Sequence, residues 1–314
     1  MDFIQKGFVG ENKSWMYILT MVLVFIAVQF ASIPLMIVAF FEVDGDLIKF
    51  QKGADSNFMD IGMNSSLFLF LMIFTFMIAL LALFLCVRFI HKKKFISIIT
   101  SREKVDWSRI FYAFALWGII SVIAIFIGMY LSPEDYVWNF KPVPFFTLVF
   151  VSFVFLPFQT SSEELIFRGY LMQGFGTLVK NRWFPLISTS IIFGLLHGMN
   201  PEVEKLGYTL MIFYIGTGLF YGITTLMDEG TELALGLHAS NNIIAAFLVT
   251  TDWMVFRTDA LYIDISEPTV GAEIFIGVFV LYPILLLIFS KKYGWTNWTN
   301  KLFGKVEIPV IDEK

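Results

Sequence analysis

Charge is what this chain of 314 residues has least of. Only 15% of it is Asp, Glu, Lys or Arg, whereas a soluble domain carries about a quarter. Cysteine is nearly missing. Cys86 stands alone, so no disulfide can form within one chain, and its place inside an apolar run suits an inert filler. There are three histidines. No His-Glu-x-x-His helix is present to hold zinc, no Gly-x-Ser to raise a serine on an elbow, and no Gly-x-Gly-Asp. Internal repeats, low-complexity tracts and soluble segments of domain size are all absent. The acidic loops near 42–62 and 252–270 are too short to fold alone.

Apolar residues fill the space that charge leaves. They make up 57% of the chain and fall into long blocks; residues 15 to 41 hold no Asp, Glu, Lys or Arg. That run exceeds the roughly 7–15 residue core of a signal peptide, so it reads as a retained anchor. About 20 apolar residues cross a bilayer as a helix. The runs therefore predict eight spans, near 15–41, 63–88, 110–131, 143–163, 183–199, 207–227, 232–251 and 271–290. The expected fold is an all-α polytopic membrane bundle, with residues 1–314 as a single membrane domain. Buried helices of a large soluble protein are the competing reading, and the length of several runs weighs against it.

Basic residues give a separate check. With a cytoplasmic N-terminus and eight spans, 17 of the 22 Lys and Arg residues fall on the cytoplasmic side. Lys92, Lys93, Lys94, Arg102, Lys104 and Arg109 belong to this set, as do Lys291, Lys292, Lys301 and Lys305. Lys49, Lys52, Lys141, Lys205 and Arg257 fall outside. This is the positive-inside bias, and it places both termini in the cytoplasm. The basic segments answer to topology and anionic lipid, so nucleic acid is not an expected partner. His91, inside a His-Lys-Lys-Lys run, is expected to be solvated.

The first three spans look like scaffold, and polar residues concentrate between 159 and 242. Ionisable groups inside a membrane are costly and mark function. Three pieces stand out: Glu163-Glu164-Leu165-Ile166-Phe167-Arg168, then Phe193-Gly194-Leu195-Leu196-His197, then His238-Ala239-Ser240-Asn241-Asn242. Glu164 and Arg168 are four apart and can pair on one helix face. Glu163 lies about 100° round the helix, free for chemistry. His238 and Asn242, also four apart, project from one face. A hairpin about Lys180-Asn181-Arg182 would bring Glu163 and His197 to one depth, provided the fourth helix runs on to about Val179. Gly194-x-x-x-Gly198 and Gly218-x-x-x-Gly222 suit close helix packing.

A carboxylate beside an imidazole can deprotonate water and later protonate a leaving amine. A second imidazole and an amide can stabilise the oxyanion. Equally, Glu163, His197 and His238 make a trio of zinc ligands with an open position for water. Metal-bound and metal-free chemistry both remain open on these residues.

The ordered set Glu-Glu-x-x-x-Arg, Phe-x-x-x-His and His-x-x-x-Asn over residues 163–242 resembles the CPBP family. That family takes in CAAX prenyl endopeptidases of the Rce1 type and bacteriocin-processing relatives. The resemblance implies a catalytic four-helix core at 143–251, with Glu163 and His197 activating water and His238 and Asn242 holding the oxyanion. It further implies that Glu164, Arg168 and Phe193 support the site. The expected activity is an intramembrane endopeptidase, acting near the cytoplasmic leaflet on a peptide or protein substrate, lipidated or not. No eukaryotic organelle signal is present, so the bacterial plasma membrane is the expected location. Two other readings use the same fold: a non-catalytic scaffold or bacteriocin-immunity protein, and an ion transporter. Against transport stands the lack of repeat symmetry between the halves.

Overall fold

The computed structural model describes residues 1–55, 58–255 and 257–310. An N-terminal 3₁₀ turn, Gln5–Phe8, leads into α1 (Ser14–Ala31) and α2 (Ile33–Glu42), with α3 (Leu47–Asp55) in the first outer loop. Next come α4 (Ser65–Phe89), α5 (Trp107–Leu131) and α6 (Pro142–Glu164). A π-helical stretch, Leu165–Leu171, joins α6 to α7 (Met172–Val179) without a break. Then follow α8 (Trp183–Leu196), α9 (Pro201–Leu206), α10 (Met211–Asp228), α11 (Glu232–Leu248), α12 (Ala272–Ile276), α13 (Tyr282–Tyr293) and α14 (Trp298–Phe303).

Local chemistry sets the ends of these helices. Asn64 caps α4 by accepting from Leu67 N at 3.0 Å, and Asp106 caps α5 through Ser108 N at 3.1 Å; both side chains satisfy amide donors that a helix start leaves free. Pro142 opens α6, where its missing N–H costs nothing. Lys180 takes a left-handed conformation (φ 55°) that stops α7.

Among the described residues, six helices are long and apolar enough to cross a membrane: Ser14–Glu42, Ser65–Phe89, Trp107–Leu131, Pro142–Val179, Tyr208–Asp228 and Ile274–Tyr293. The molecule is a polytopic membrane bundle. Its outward faces are apolar, with Phe25, Phe111, Phe146 and Leu287 each more than 60% exposed, while Thr20, Ser152, Gln159 and Ser240 are buried. That inversion suits a hydrocarbon solvent and disposes of the soluble alternative. The expected span at 183–199 appears with the same bounds as Trp183–Met199, below the length of those six, and that at 232–251 as the 17-residue α11. Most of α11 is buried in protein, so lipid thickness does not dictate its length. The fourth helix runs 38 residues to Val179, which is the overlong helix that the hairpin required.

The two ends of the bundle are sealed differently. At one end the termini meet the connections. Phe3 N donates to Glu229 Oε2 at 2.5 Å, Arg182 pairs with Asp2, and Lys301 pairs with Glu229. Gln173 Nε2 donates to Phe3 O and Ser97 O at 2.9 and 2.7 Å. Isolated bridges join Thr100 to Gly230 and Asn181 to Lys305. At the other end lies a small sheet that the all-α expectation omitted. Its order is β1 (Tyr136–Trp138), β3 (Tyr262–Asp264), β2 (Val249–Thr250), with β1 antiparallel and β2 parallel to β3.

Two further expectations need correction. His91 is fully buried, not solvated. Its Nδ1 bonds Glu11 O at 2.8 Å, and its Nε2 bonds the Tyr170 hydroxyl at 2.6 Å. Lys93 is buried beside it. The Gly-x-x-x-Gly pairs are close-packing sites at Gly194, Gly218 and Gly222, where an added Cβ would meet Ile215, Ser190 O and Leu186 at 2.4, 2.9 and 2.6 Å. Gly198 is not one, since its nearest neighbour would lie at 3.8 Å.

Candidate active site

Glu163 and Glu164 are the last two residues of α6, directly before the π-helical stretch. A π-turn inserts a residue and rephases the faces of a helix, and such turns recur at functional sites. Gly169 lets this segment approach the 90–106 connection, since a Cβ there would lie 2.5 Å from Ile98 O. Across the hairpin, Phe167 packs edge-on against Phe193 at 5.6 Å, which fixes the register of α8.

Glu164 is fully buried and its Oε1 accepts twice, from Arg168 Nη1 at 3.0 Å and from His238 Nδ1 at 2.8 Å. The first bond is the pairing that the four-residue spacing predicts. Arg168 has no exposed surface either. Its Nη2 donates to Gly218 O at 3.3 Å, and its guanidinium sits 4.1 Å above the Phe193 ring. A carboxylate can only accept, so His238 Nδ1 carries the proton toward Glu164. That leaves His238 Nε2 turned to Glu163, whose Oε2 is 3.8 Å away.

Glu163 uses its other oxygen differently. Oε1 accepts from Gln159 Nε2, one turn earlier on α6. Gln159 Oε1 in turn accepts from Asn242 Nδ2 at 2.9 Å. Among the described residues, Glu163 Oε2 is buried without a hydrogen-bond partner. Such an oxygen is costly unless something else is meant to bind it. The gap to His238 is too long for a direct bond and suits one water held by both.

His197 stands apart from this group. It ends α8, with Nδ1 donating to Phe193 O at 2.7 Å and its ring stacked on Tyr214 at 4.5 Å. Behind it, Tyr214 donates to Glu202 at 3.4 Å and accepts from Asn200 at 3.3 Å, and burial pushes the Glu202 carboxyl above its usual range. Among the described residues, no ion pair or hydrogen bond joins His197 to Glu163. The Phe193 ring neighbours both imidazoles, 4.5 Å from His197 and 6.1 Å from His238. The structure thus gathers Glu163, Glu164, Arg168, His238 and Asn242, with His197 one aromatic ring away. It adds Gln159, a lone amide in an apolar run four residues before Glu163, which was the available signal for it.

The residues do not fit a zinc ion as they are arranged. Among the described residues, no three His, Cys, Asp or Glu side chains converge as ligands. The set Glu163, His197 and His238 is therefore not a preformed metal site, and no chemical step below runs through one.

The model for Rce1-like type II CAAX prenyl endopeptidases matches residues 142–244, from the first turn of α6 into α11. This chain belongs to the Rce1-like CAAX endopeptidase family. The chain is also similar to the uncharacterized protein YyaK of Bacillus subtilis (strain 168), 33% identical over 220 residues, covering 69% of this chain and 74% of that protein. No solved structure matches. Within the Rce1-like stretch lie all the residues gathered around Glu163, whereas α1, α4, α5 and α13 lie wholly outside it.

Proposed function

We propose that this chain is an intramembrane endopeptidase, with eight spans, both termini in the cytoplasm of a bacterial cell and a catalytic core at 143–251. The observation that carries the reading is the buried, unbonded Oε2 of Glu163 facing His238 Nε2 at 3.8 Å. A water held there gives its proton to Glu163 Oε2 and attacks the peptide carbonyl. The oxyanion that forms takes a hydrogen bond from the second N–H of Asn242, while His238 Nε2, bare in this tautomer, accepts from the water's other hydrogen. Glu163 then returns the proton to the leaving amine as the C–N bond breaks. Glu164 and Arg168 hold His238 in the tautomer that this requires. His238 lies in the second turn of α11, at the end of the bundle where the termini meet, so a substrate would be cut near the cytoplasmic leaflet. Peptides and proteins are its substrate class, and a lipid anchor would bring them to this depth.

Geometry favours His238 over His197 as the imidazole that shares the water with Glu163. His197 is left to line the approach from the α8–α10 side. Purified protein, incubated with a quenched peptide library with and without chelator, tests the reading. Glu163→Gln is expected to lower turnover by roughly 10²–10⁴-fold with expression and folding intact. Turnover unchanged in that variant removes the proposal, and a retained cellular phenotype would point to the scaffold or immunity reading instead. Chelator sensitivity decides whether a metal takes part.

A further inference from the structure

A run of four hydrogen bonds links α5 to the candidate base. Trp117 Nε1 donates to Asn241 Oδ1 at 3.2 Å, and Asn241 Nδ2 donates to Asn242 Oδ1 at 3.1 Å. Asn242 Nδ2 donates to Gln159 Oε1 at 2.9 Å, and Gln159 Nε2 donates to Glu163 Oε1. Each amide could in principle be turned round, since its two ends have the same shape. Here the termini of the run forbid it. An indole N–H can only donate, so Asn241 must present oxygen to Trp117 and nitrogen to Asn242. An ionised carboxylate can only accept, so Gln159 must present nitrogen to Glu163 and oxygen to Asn242. The two constraints meet at Asn242 and agree. Gln159 and Asn242 are buried, and aligned amides polarise one another.

We propose that Trp117 and Asn241 are positioning residues for the hydrolytic reaction, acting on it through Asn242 and Gln159. This rests on the proteolytic reading above. The run settles two things at the site. It pulls Asn242 Oδ1 toward Asn241, so what Asn242 has left for a substrate is an N–H, the group an oxyanion needs. It also occupies Glu163 Oε1, so Oε2, on the His238 side, is the oxygen that receives the proton. Reversed amides would offer the oxyanion a carbonyl and leave the wrong carboxylate oxygen free. Trp117 lies on a span that carries no family motif, and its indole N–H is the source of the ordering.

The test is a double-mutant cycle on a quenched peptide that the wild-type protein cleaves in a Glu163-dependent way. Trp117→Phe keeps an aromatic ring beside Tyr282, 5.9 Å from the indole, and deletes only the donor. It is expected to lower kcat about tenfold and to leave KM within about twofold, the split for an interaction made in the transition state. In an Asn241→Leu background, where the indole no longer reaches Asn242, Trp117→Phe should change kcat by less than about twofold, because coupled residues are not additive. Two full, multiplicative losses, or a change in KM alone, would overturn the proposal. Should Trp117→Phe fail to fold, Asn241→Leu makes the same cut and must give the same kcat-only loss. If the wild-type protein shows no Glu163-dependent cleavage, it is the proteolytic reading that has failed. The ordering is then read from the Trp117 indole signal in ¹⁵N-tryptophan-labelled protein. That signal must move in Gln159→Met, and an unmoved signal refutes the run.

Discussion

Arg168→Met asks how much the molecule depends on a fully buried charge. Arg168 and Glu164 are both fully buried, with Nη1 to Oε1 at 3.0 Å. At an effective dielectric of about 20 the pair attracts by roughly 5 kcal/mol. Its guanidinium also faces the Phe193 ring at 4.1 Å, adding about 1–2 kcal/mol for a desolvated contact. Against this stands the cost of removing both ions from water, so the pair as a whole gains little. Taking away one partner is different, because it leaves Glu164 charged with only His238 beside it. The expected loss is about 3–5 kcal/mol, or on the order of 6–10 °C in thermal unfolding at roughly 2 °C per kcal/mol. The double variant Glu164→Met with Arg168→Met removes both charges and should regain most of that stability. It should nonetheless be inactive, since His238 has lost the acceptor at its Nδ1. Unfolding followed in detergent by intrinsic fluorescence gives all three values. A single variant within about 1 kcal/mol of wild type, or a double variant no better than the single, would falsify the account of this pair.

Three other outcomes are expected. Burial brings the Lys93 amine from 10.5 down to about 8, so between those values the unfolded chain binds the extra proton; stability should rise with pH from about 8 to 10.5, and Lys93→Met should flatten that rise in urea titrations and raise stability at pH 7. A slope that persists in Lys93→Met assigns it to another group. Gly169→Ala would press a Cβ to within 2.5 Å of Ile98 O and should cost about 1–3 kcal/mol, read by thermal unfolding; a neutral result means that the connection yields there. A fluorescent protein fused to the C-terminus should light up in the cytoplasm if the span number is even, and a dark fusion with an active periplasmic reporter contradicts the topology.

The long-range plan was legible because lipid imposes it. Apolar runs near 15–41 and 63–88 become helices since nothing else satisfies backbone amides in hydrocarbon, and the polar turn at 180–182 marked where the fourth helix ends. Glu164 and Arg168 were legible from spacing alone. The π-helical stretch after Glu164 was not, because it arises from a slipped hydrogen-bond register that leaves no trace in residue type. His91 misled for the opposite reason. Three lysines beside it suggest water, yet Tyr17 and Tyr170 close over its ring at 4.8 and 5.3 Å. The position of His197 depended on aromatic packing between α8 and α10, which no helical-wheel argument reaches. Gln159 was visible as a polar residue in an apolar run, but its role followed only once Asn242 and Glu163 were seen on either side of it.

Phe3 and Ile4, held without exposure at the end of the bundle where the connections gather, bear on the order of assembly. Gln5 Nε2 donates to Glu307 O, 302 residues further along, and Phe3 N reaches Glu229. A ribosome that has just threaded the first helix into the bilayer has not yet made either acceptor. The clasp can close only after the last helix has been released, so insertion and final locking are separate events in time. Until then two bulky apolar side chains wait at the membrane surface, which makes the newborn chain, more than the finished one, the form that holdases and quality-control proteases would meet.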